Sequence, residues 1–265
     1  FRRRLEDLNL RQREKRKIMS DYSLLVGGFH AVSSSLNAAP EKCVELWVRR
    51  GLEFGKAAEL IDLARTTGVS VQIVTANAID RLYGMENHQG VVLKRKSPST
   101  VTLKTLLENI TQGERIPLIL ILDNIQDPQN FGACLRVADG AGVDGVVFST
   151  NNSAHISNTV ARVASGALDA ITLVPVPNIA AAIKQICAAN IWVTGACDDE
   201  VISLYDIDFT VGTAIVVGNE GTGLRKLTRD RCDHLATIPM RGKVSSLNVA
   251  SATSVFLFET LRQRG

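Results

Sequence analysis

The stretch PLILILDNIQDPQNFGACLRVADGAG, residues 117–142, decides the fold class. It opens on an unbroken apolar run closed by turn residues, the pattern of a strand buried on both faces in a helix-covered parallel sheet. Asp127-Pro128 then makes a turn, and beyond it the apolar period changes. Phe131, Cys134, Leu135 and Ala138 fall on one stripe of a helix that would pack on the sheet. Asn130 is a candidate cap for that helix. Its one cation, Arg136, lies off the stripe, with Gly132 and Gly140 four residues away on either side and therefore on its face. A glycine inside a helix costs roughly 0.5–1 kcal/mol relative to alanine. Two of them leave a bare face that would let another backbone, protein or nucleic acid, approach the guanidinium. The plainer alternative pairs Arg136 with Asp127 or Asp139 on the surface.

The same alternation continues to the C-terminus. Further strands are expected at DGVVFS (144–149), AITLVPV (170–176), IWVTGA (191–196), TAIVVG (213–218) and LATIPM (235–240). Helices fall between most of them, and a last helix runs from about Asn248 to Arg262. Upstream, residues 24–94 alternate as well. A helix-like run after GGFHAV reaches about Asn37, then come strand VELWVRR, a helix around KAAELIDLARTTG, strand VSVQIVT, short helix NAIDRLYG and strand GVVLKR. KRKSPSTVT, residues 94–102, breaks the pattern and reads as a linker. The reading is α/β throughout. It divides the chain into a tail (1–20), a small α/β domain (21–94), a linker (95–116) and a larger parallel-sheet domain (117–265).

At 265 residues, 45% apolar and 22% charged, the composition is that of a globular protein. The net charge of +3 conceals a basic tail, because residues 1–20 carry eight Lys or Arg against three acids. That tail is either a solvated end or an auxiliary grip on phosphates. No apolar segment follows its arginines as an export signal requires. No run approaches the roughly 20 residues of a membrane span, so no membrane partner is expected. The five cysteines are scattered without C-x-x-C, which argues against a metal site and for buried thiols in a reducing cytoplasm.

Dinucleotide chemistry is a poor fit. The only glycine-rich turn after a strand, GNEGTGL (218–224), has the order G-x-x-G-x-G rather than G-x-G-x-x-G, and no P-loop sequence is present. That turn, the 127–142 stretch and IPMRGKVSSLNVASA (238–252) all follow strand ends, where open α/β sheets hold ligands. Glu220 and Asn219 offer an acceptor and an amide. Ser245, Ser246 and Asn248 stand at the start of the last helix, either as simple caps or as part of an anion-binding site.

Together and in this order, LDNIQDPQNFGACLRVAD, IVVGNEGTGL and IPMRGKVSSLNVASA resemble the three motifs of the SpoU (TrmH-type) branch of the SPOUT RNA 2′-O-methyltransferases. GGFHAV and HQGVV stand where the rRNA-modifying members carry comparable signatures in a preceding RNA-binding domain. These resemblances point to the guanosine-2′-O-methyltransferases of large-subunit rRNA. The resemblance implies a deep trefoil knot in the C-terminal sheet, an obligate homodimer and S-adenosylmethionine bound in the knot's loops. Carried over by motif, Gly218, Ile238 and Leu247 would line the cofactor pocket. Arg136 would be catalytic, with Asn130, Glu220, Ser246 and Asn248 as further catalytic-site residues. The role of Arg136 would be to activate the hydroxyl or to grip a neighbouring phosphate; arginine is effectively always protonated, so grip and orientation is preferred. Gly132 and Gly140 would then clear the face for the RNA backbone. Asn124 stands where many relatives have glycine, and Gly27 where an aromatic is frequent. His30 and His88 are either RNA contacts or satisfied structural residues. A tRNA 2′-O-methyltransferase of the same family and a non-catalytic RNA-binding or ribosome-assembly protein are the alternatives; intact Arg136, Asn130, Glu220 and SSLN argue against the latter.

Overall fold

The computed structural model describes residues 24–84, 87–151, 153–199 and 202–265. The basic tail lies outside them. The chain divides into two units, Phe1–Ser97 and Pro98–Gly265.

In the first unit the elements follow as β1 (Leu24–Gly27), α1 (Phe29–Ala38), β2 (Cys43–Arg49), α2 (Lys56–Thr66), β3 (Ser70–Val74), α3 (Ala76–Tyr83) and β4 (Val91–Arg95). β1 is too short to register in the alternation. The sheet order is β1-β4-β2-β3, with β2 and β3 parallel and β4 antiparallel to both its neighbours. Gly27 closes β1 against the Tyr83 ring, and a Cβ there would lie 2.7 Å from Tyr83 Cζ. An aromatic residue at this position has no room in this chain. His88 is a structural residue. Its Nδ1 accepts from Gly90 N (3.0 Å), which leaves the Nε2 hydrogen for Asp80 Oδ1 at 2.9 Å. His30 is exposed on α1.

The second unit begins earlier than the composition suggested. Residues expected as linker carry α4 (Leu103–Gln112), and its buried Leu103, Leu106 and Ile110 join the core formed by the larger sheet. Their i, i+3, i+7 spacing is that of an amphipathic helix, so the linker ends before Leu103. The chain continues as β5 (Leu118–Leu122), α5 (Pro128–Gly140), β6 (Gly145–Ser149), α6 (Asn158–Ala164), α7 (Ala167–Ala170) and β7 (Leu173–Val176). It closes with α8 (Ile179–Ala188), β8 (Trp192–Ala196), β9 (Thr213–Val217), α9 (Lys226–Arg229), β10 (His234–Ala236) and α10 (Val249–Arg264). All six expected strands form, in the order β10-β8-β9-β5-β6-β7, and every pairing is parallel. Every residue of β5, β6 and β9 is buried. Parallel strands covered on both faces need apolar side chains on both, which is why they read as continuous runs.

β5 and β9 lie side by side at the centre, so the loops that follow them emerge together at the carboxyl edge of the sheet. α5 and α10 pack against each other beside this edge, and Cys134 and Thr253 meet in their contact at 3.5 Å. Gly132 is the contact point between α5 and α6: an added Cβ would lie 2.9 Å from Val163 Cβ and 3.0 Å from the Val160 carbonyl. Gly132 therefore serves helix packing rather than an open face. Gly140 has nothing within 4 Å of its Cβ position. All five cysteines are free thiols, but only Cys134 is buried; the other four are half-buried.

Candidate active site

Three chain segments converge at the carboxyl edge of the larger sheet. The first leaves β5 at Asp123 and passes through Asn124, whose φ of 62° lies in the left-handed region. Glycine takes that conformation freely and asparagine tolerates it, which accounts for an asparagine at a position where the family resemblance implies glycine. The segment enters α5 with Asp127, not Asn130, as its cap. The Asp127 carboxylate accepts from Gln129 N and Asn130 N, both at 3.2 Å, and Pro128 takes the first helical position. Asp127 is thus occupied by the backbone, and Asn130 is released for another task one turn into the helix.

The second segment, residues 218–224, folds back on itself. Asn219 and Gly223 exchange backbone hydrogen bonds (Asn219 N to Gly223 O, 3.1 Å; Gly223 N to Asn219 O, 2.8 Å). A Cβ on Gly218 would collide with the Gly223 carbonyl, and Gly223 itself has φ +65°. These two glycines are required by the turn's own backbone. The third segment reaches α10 through Asn248, whose Oδ1 accepts from Ala250 N (3.0 Å) and Ser251 N (3.4 Å). This is ordinary capping. The residue also turns its amide outward.

Those side chains close a network. Asn130 Nδ2 donates to Glu220 Oε1, and Asn248 Nδ2 donates to the same oxygen (2.7 Å) and to Asn130 Oδ1 (2.9 Å). Residues 130, 220 and 248 are far apart in sequence, and each amide is held by the others. Beside the network lies a cavity of about 280 Å³. Gly218, Ile238 and Leu247 line it, as do Ser246 and the whole 218–224 turn. Ser246 is exposed and makes no side-chain hydrogen bond among the described residues. Arg136 is not in the cavity wall. It stands on the exposed surface of α5, without an ion pair to Asp127 or Asp139 among the described residues.

The cavity wall also includes Asp198, Asp199 and Arg229, which sequence reasoning passed over. Their signal was available: GACDD continues strand β8 past its carboxyl end. Arg229 donates to both Asp199 oxygens at 2.9 Å, and these bonds hold the Asp199 carboxyl below its ordinary range. Behind the site, burial pushes the Cys134 thiol up to about 11, so it is a packing residue rather than a nucleophile.

A doubly covered parallel sheet with these three loops joined at its carboxyl edge defines a SpoU-type methyltransferase domain. The chain belongs to the SpoU rRNA methylase family, whose profile matches residues 117–258. The profile of the RNA 2′-O ribose methyltransferase substrate-binding domain matches residues 25–101. The chain is 40% identical to the 23S rRNA (guanosine-2′-O-)-methyltransferase RlmB of Pasteurella multocida over 238 residues, 89% of this chain and 97% of that protein. RlmB of Shewanella oneidensis is 38% identical over 91% of this chain and 97% of its own length. The crystal structure of the SpoU methyltransferase AviRb from Streptomyces viridochromogenes in complex with AdoMet superimposes with a TM-score of 0.77. That match is 27% identical and covers 95% of this chain and 93% of that one.

Proposed function

We propose that this protein transfers a methyl group from S-adenosylmethionine to the ribose 2′-oxygen of a guanosine in large-subunit ribosomal RNA. The observation that carries the reading is the Asn130–Glu220–Asn248 network, which joins three separate segments beside one cavity. The cavity's chemistry suits a nucleoside with a charged amino-acid tail: apolar Ile238, Met240 and Leu247, backbone along 218–224, the Asp198 carboxylate, and the Arg229–Asp199 ion pair. Gly218, Ile238 and Leu247 are the residues assigned to hold the cofactor. S-adenosylmethionine, when bound, supplies an already activated methyl group.

The chain's own residues then have to align the ribose hydroxyl and manage one proton. Asn130 and Asn248 fix the Glu220 carboxylate, and Ser246 stands at the rim as a further hydroxyl toward the ligand. Arg136 grips and orients the RNA backbone. Its exposure favours this over general-base action, which for an arginine requires strong desolvation. The first unit contributes RNA contacts. The protein acts in the cytoplasm, consistent with its five free thiols; among the described residues no helix is long and apolar enough to cross a membrane.

Two finer features belong to the same reading. The chain leaves β9 at the sheet centre, forms β10 outside β8, and returns as α10 to pack on α5 and β9; this crossing is assigned as the family's trefoil knot. A second copy of the chain covers the site, since Glu220 and Asn248 are exposed and Phe258 on α10 is 51% exposed.

Transfer of labelled methyl from S-adenosylmethionine into unmodified total RNA tests the proposal. Label is expected in large-subunit rRNA, falling about 100-fold or more in Arg136→Ala. Label in tRNA would overturn the substrate assignment, and no label in any RNA would overturn the activity.

A further inference from the structure

Asp123 has no exposed surface, yet it carries a carboxylate that the site described above does not use. Its partner is Arg225, whose Nε donates to Asp123 Oδ1 at 2.8 Å; the Arg225 terminal nitrogen contacts the same oxygen, and Arg225 backbone N donates to Oδ2 at 3.2 Å. A carboxylate taken out of water is tolerable only when its oxygens are satisfied in this way. The same residue reaches the other end of the loop: Asp123 N donates to the Val217 carbonyl at 2.9 Å, the last residue of β9. Its neighbour Asn124 adds a second hold, its carbonyl accepting from Asn219 Nδ2 at 3.2 Å.

We propose that Asp123 and Arg225 are positioning residues that hold the 218–224 turn, and with it Glu220, in the conformation that binds the methyl donor. The proposal rests on the assignment of the adjoining cavity to S-adenosylmethionine. Upstream, the turn is anchored by the β5–β9 ladder. Downstream, α9 is only Lys226–Arg229, a single turn with no side-chain cap at its start. Without the Arg225 fork, the downstream end of the turn would keep only backbone holds, the Arg225 N bond to Asp123 and the Asn219–Gly223 pair, beside that short helix. Glu220 sits midway between the two anchors, so a shift at either end displaces it from Asn130 and Asn248. The planar fork matters as well as the charge, because lysine cannot reproduce both side-chain contacts.

The test compares wild type, Arg225→Lys, Arg225→Gln and the double variant Asp123→Asn/Arg225→Gln. Two readouts are taken: amide hydrogen exchange across residues 217–226, and calorimetric affinity for S-adenosylmethionine. Arg225→Gln is expected to speed exchange in the turn at least tenfold and weaken the cofactor at least tenfold. Steady-state kinetics should show the loss mainly in KM for the cofactor. Arg225→Lys should fall between. The double variant, which removes the stranded buried charge, should fold as well as wild type and still bind the cofactor weakly. Turn exchange and affinity within twofold of wild type in Arg225→Gln would overturn the proposal. So would a double variant with wild-type affinity. A wild-type protein that bound no S-adenosylmethionine would overturn the activity instead, and the exchange data would still decide whether the pair holds the turn.

Discussion

Alanine at Gly132 and at Gly140 should have opposite effects, although both glycines flank Arg136 at the same spacing. A Cβ at Gly132 would lie 2.9 Å from Val163 Cβ and 3.0 Å from the Val160 carbonyl. The carbonyl is helix backbone and cannot turn aside, so α6 must move. Overpacking of this kind costs about 1–3 kcal/mol, against a helix-propensity gain of about 1 kcal/mol. The net is a destabilisation of up to about 2 kcal/mol. At Gly140 a Cβ meets nothing within 4 Å, so only the propensity gain remains. At the last residue of the helix it should be about 0.5 kcal/mol. Urea denaturation with a common m-value would report the separation, and thermal midpoints should differ in the same direction by about 2–4 °C per kcal/mol. Equal stability of the two variants, or a more stable Gly132→Ala, would refute the close approach of α5 and α6 as the reason for the glycine. The same pair also divides packing from RNA clearance. A Gly140→Ala protein that is stable but slow in methyl transfer would assign Gly140 to the RNA-facing surface.

Asn248→Asp keeps the cap of α10, since the two residues cap comparably, but places a second carboxylate against Glu220; stability should hold within about 0.5 kcal/mol while methyl transfer falls sharply. Arg264→Ala removes guanidinium bonds to the carbonyls of Ile116, Pro117, Phe209 and Val211, all at 2.8–3.0 Å, and should cost about 2–4 kcal/mol in denaturant unfolding. Burial raises the Cys134 and Cys232 thiols from 9.0 to about 11 and about 12. Their contribution to stability is therefore complete below pH 9 and lost as pH rises from 9 through those values, and both should resist alkylation at pH 8 until the chain is unfolded. Deleting residues 1–20 should weaken RNA binding chiefly at low salt, seen as a shallower dependence of affinity on salt concentration.

The larger sheet was legible because a doubly covered parallel strand must be apolar on both faces, and all six such runs became strands. Residues 24–27 were missed because four residues carry too little periodicity, and α4 because a Ser- and Pro-containing segment just before it drew the boundary too far downstream. The three segments that meet at the sheet edge were legible, but neither the Asp198–Asp199–Arg229 part of the cavity wall nor the bonding between the segments was. Asn130 reads equally well as a cap, and only the position of Asp127 at the end of the turn decides which residue takes the backbone N–H groups. The same limit hid Asp123 and Arg225. An acid at a strand end and an arginine 102 positions later have no sequence relation until β5 and β9 are known to be neighbours.

The amide–carboxylate network also explains why a site so open to solvent can be ordered. Each asparagine has one carbonyl and one amide to commit. Asn248 gives its carbonyl oxygen to the α10 backbone and its amide to Glu220 and Asn130. Asn130 gives its amide to Glu220 and its oxygen to Asn248. The chain of bonds fixes which way each amide faces, and it ends on one Glu220 oxygen that receives two donors. The second Glu220 oxygen accepts no hydrogen bond among the described residues, and one Asn130 Nδ2 hydrogen is uncommitted there, so the network keeps one acceptor and one donor for a ligand. Arg136, on the exposed side of α5, brings the opposite charge. On the proposed reading these are complementary halves of one task, an acceptor fixed for the reacting hydroxyl or cofactor and a cation for the RNA backbone. Asn130, which helps hold that acceptor, shares α5 with Arg136, six residues further on and about 9 Å along the axis at 1.5 Å per residue. A rigid helix can hold the two apart at a fixed spacing, which a loop could not.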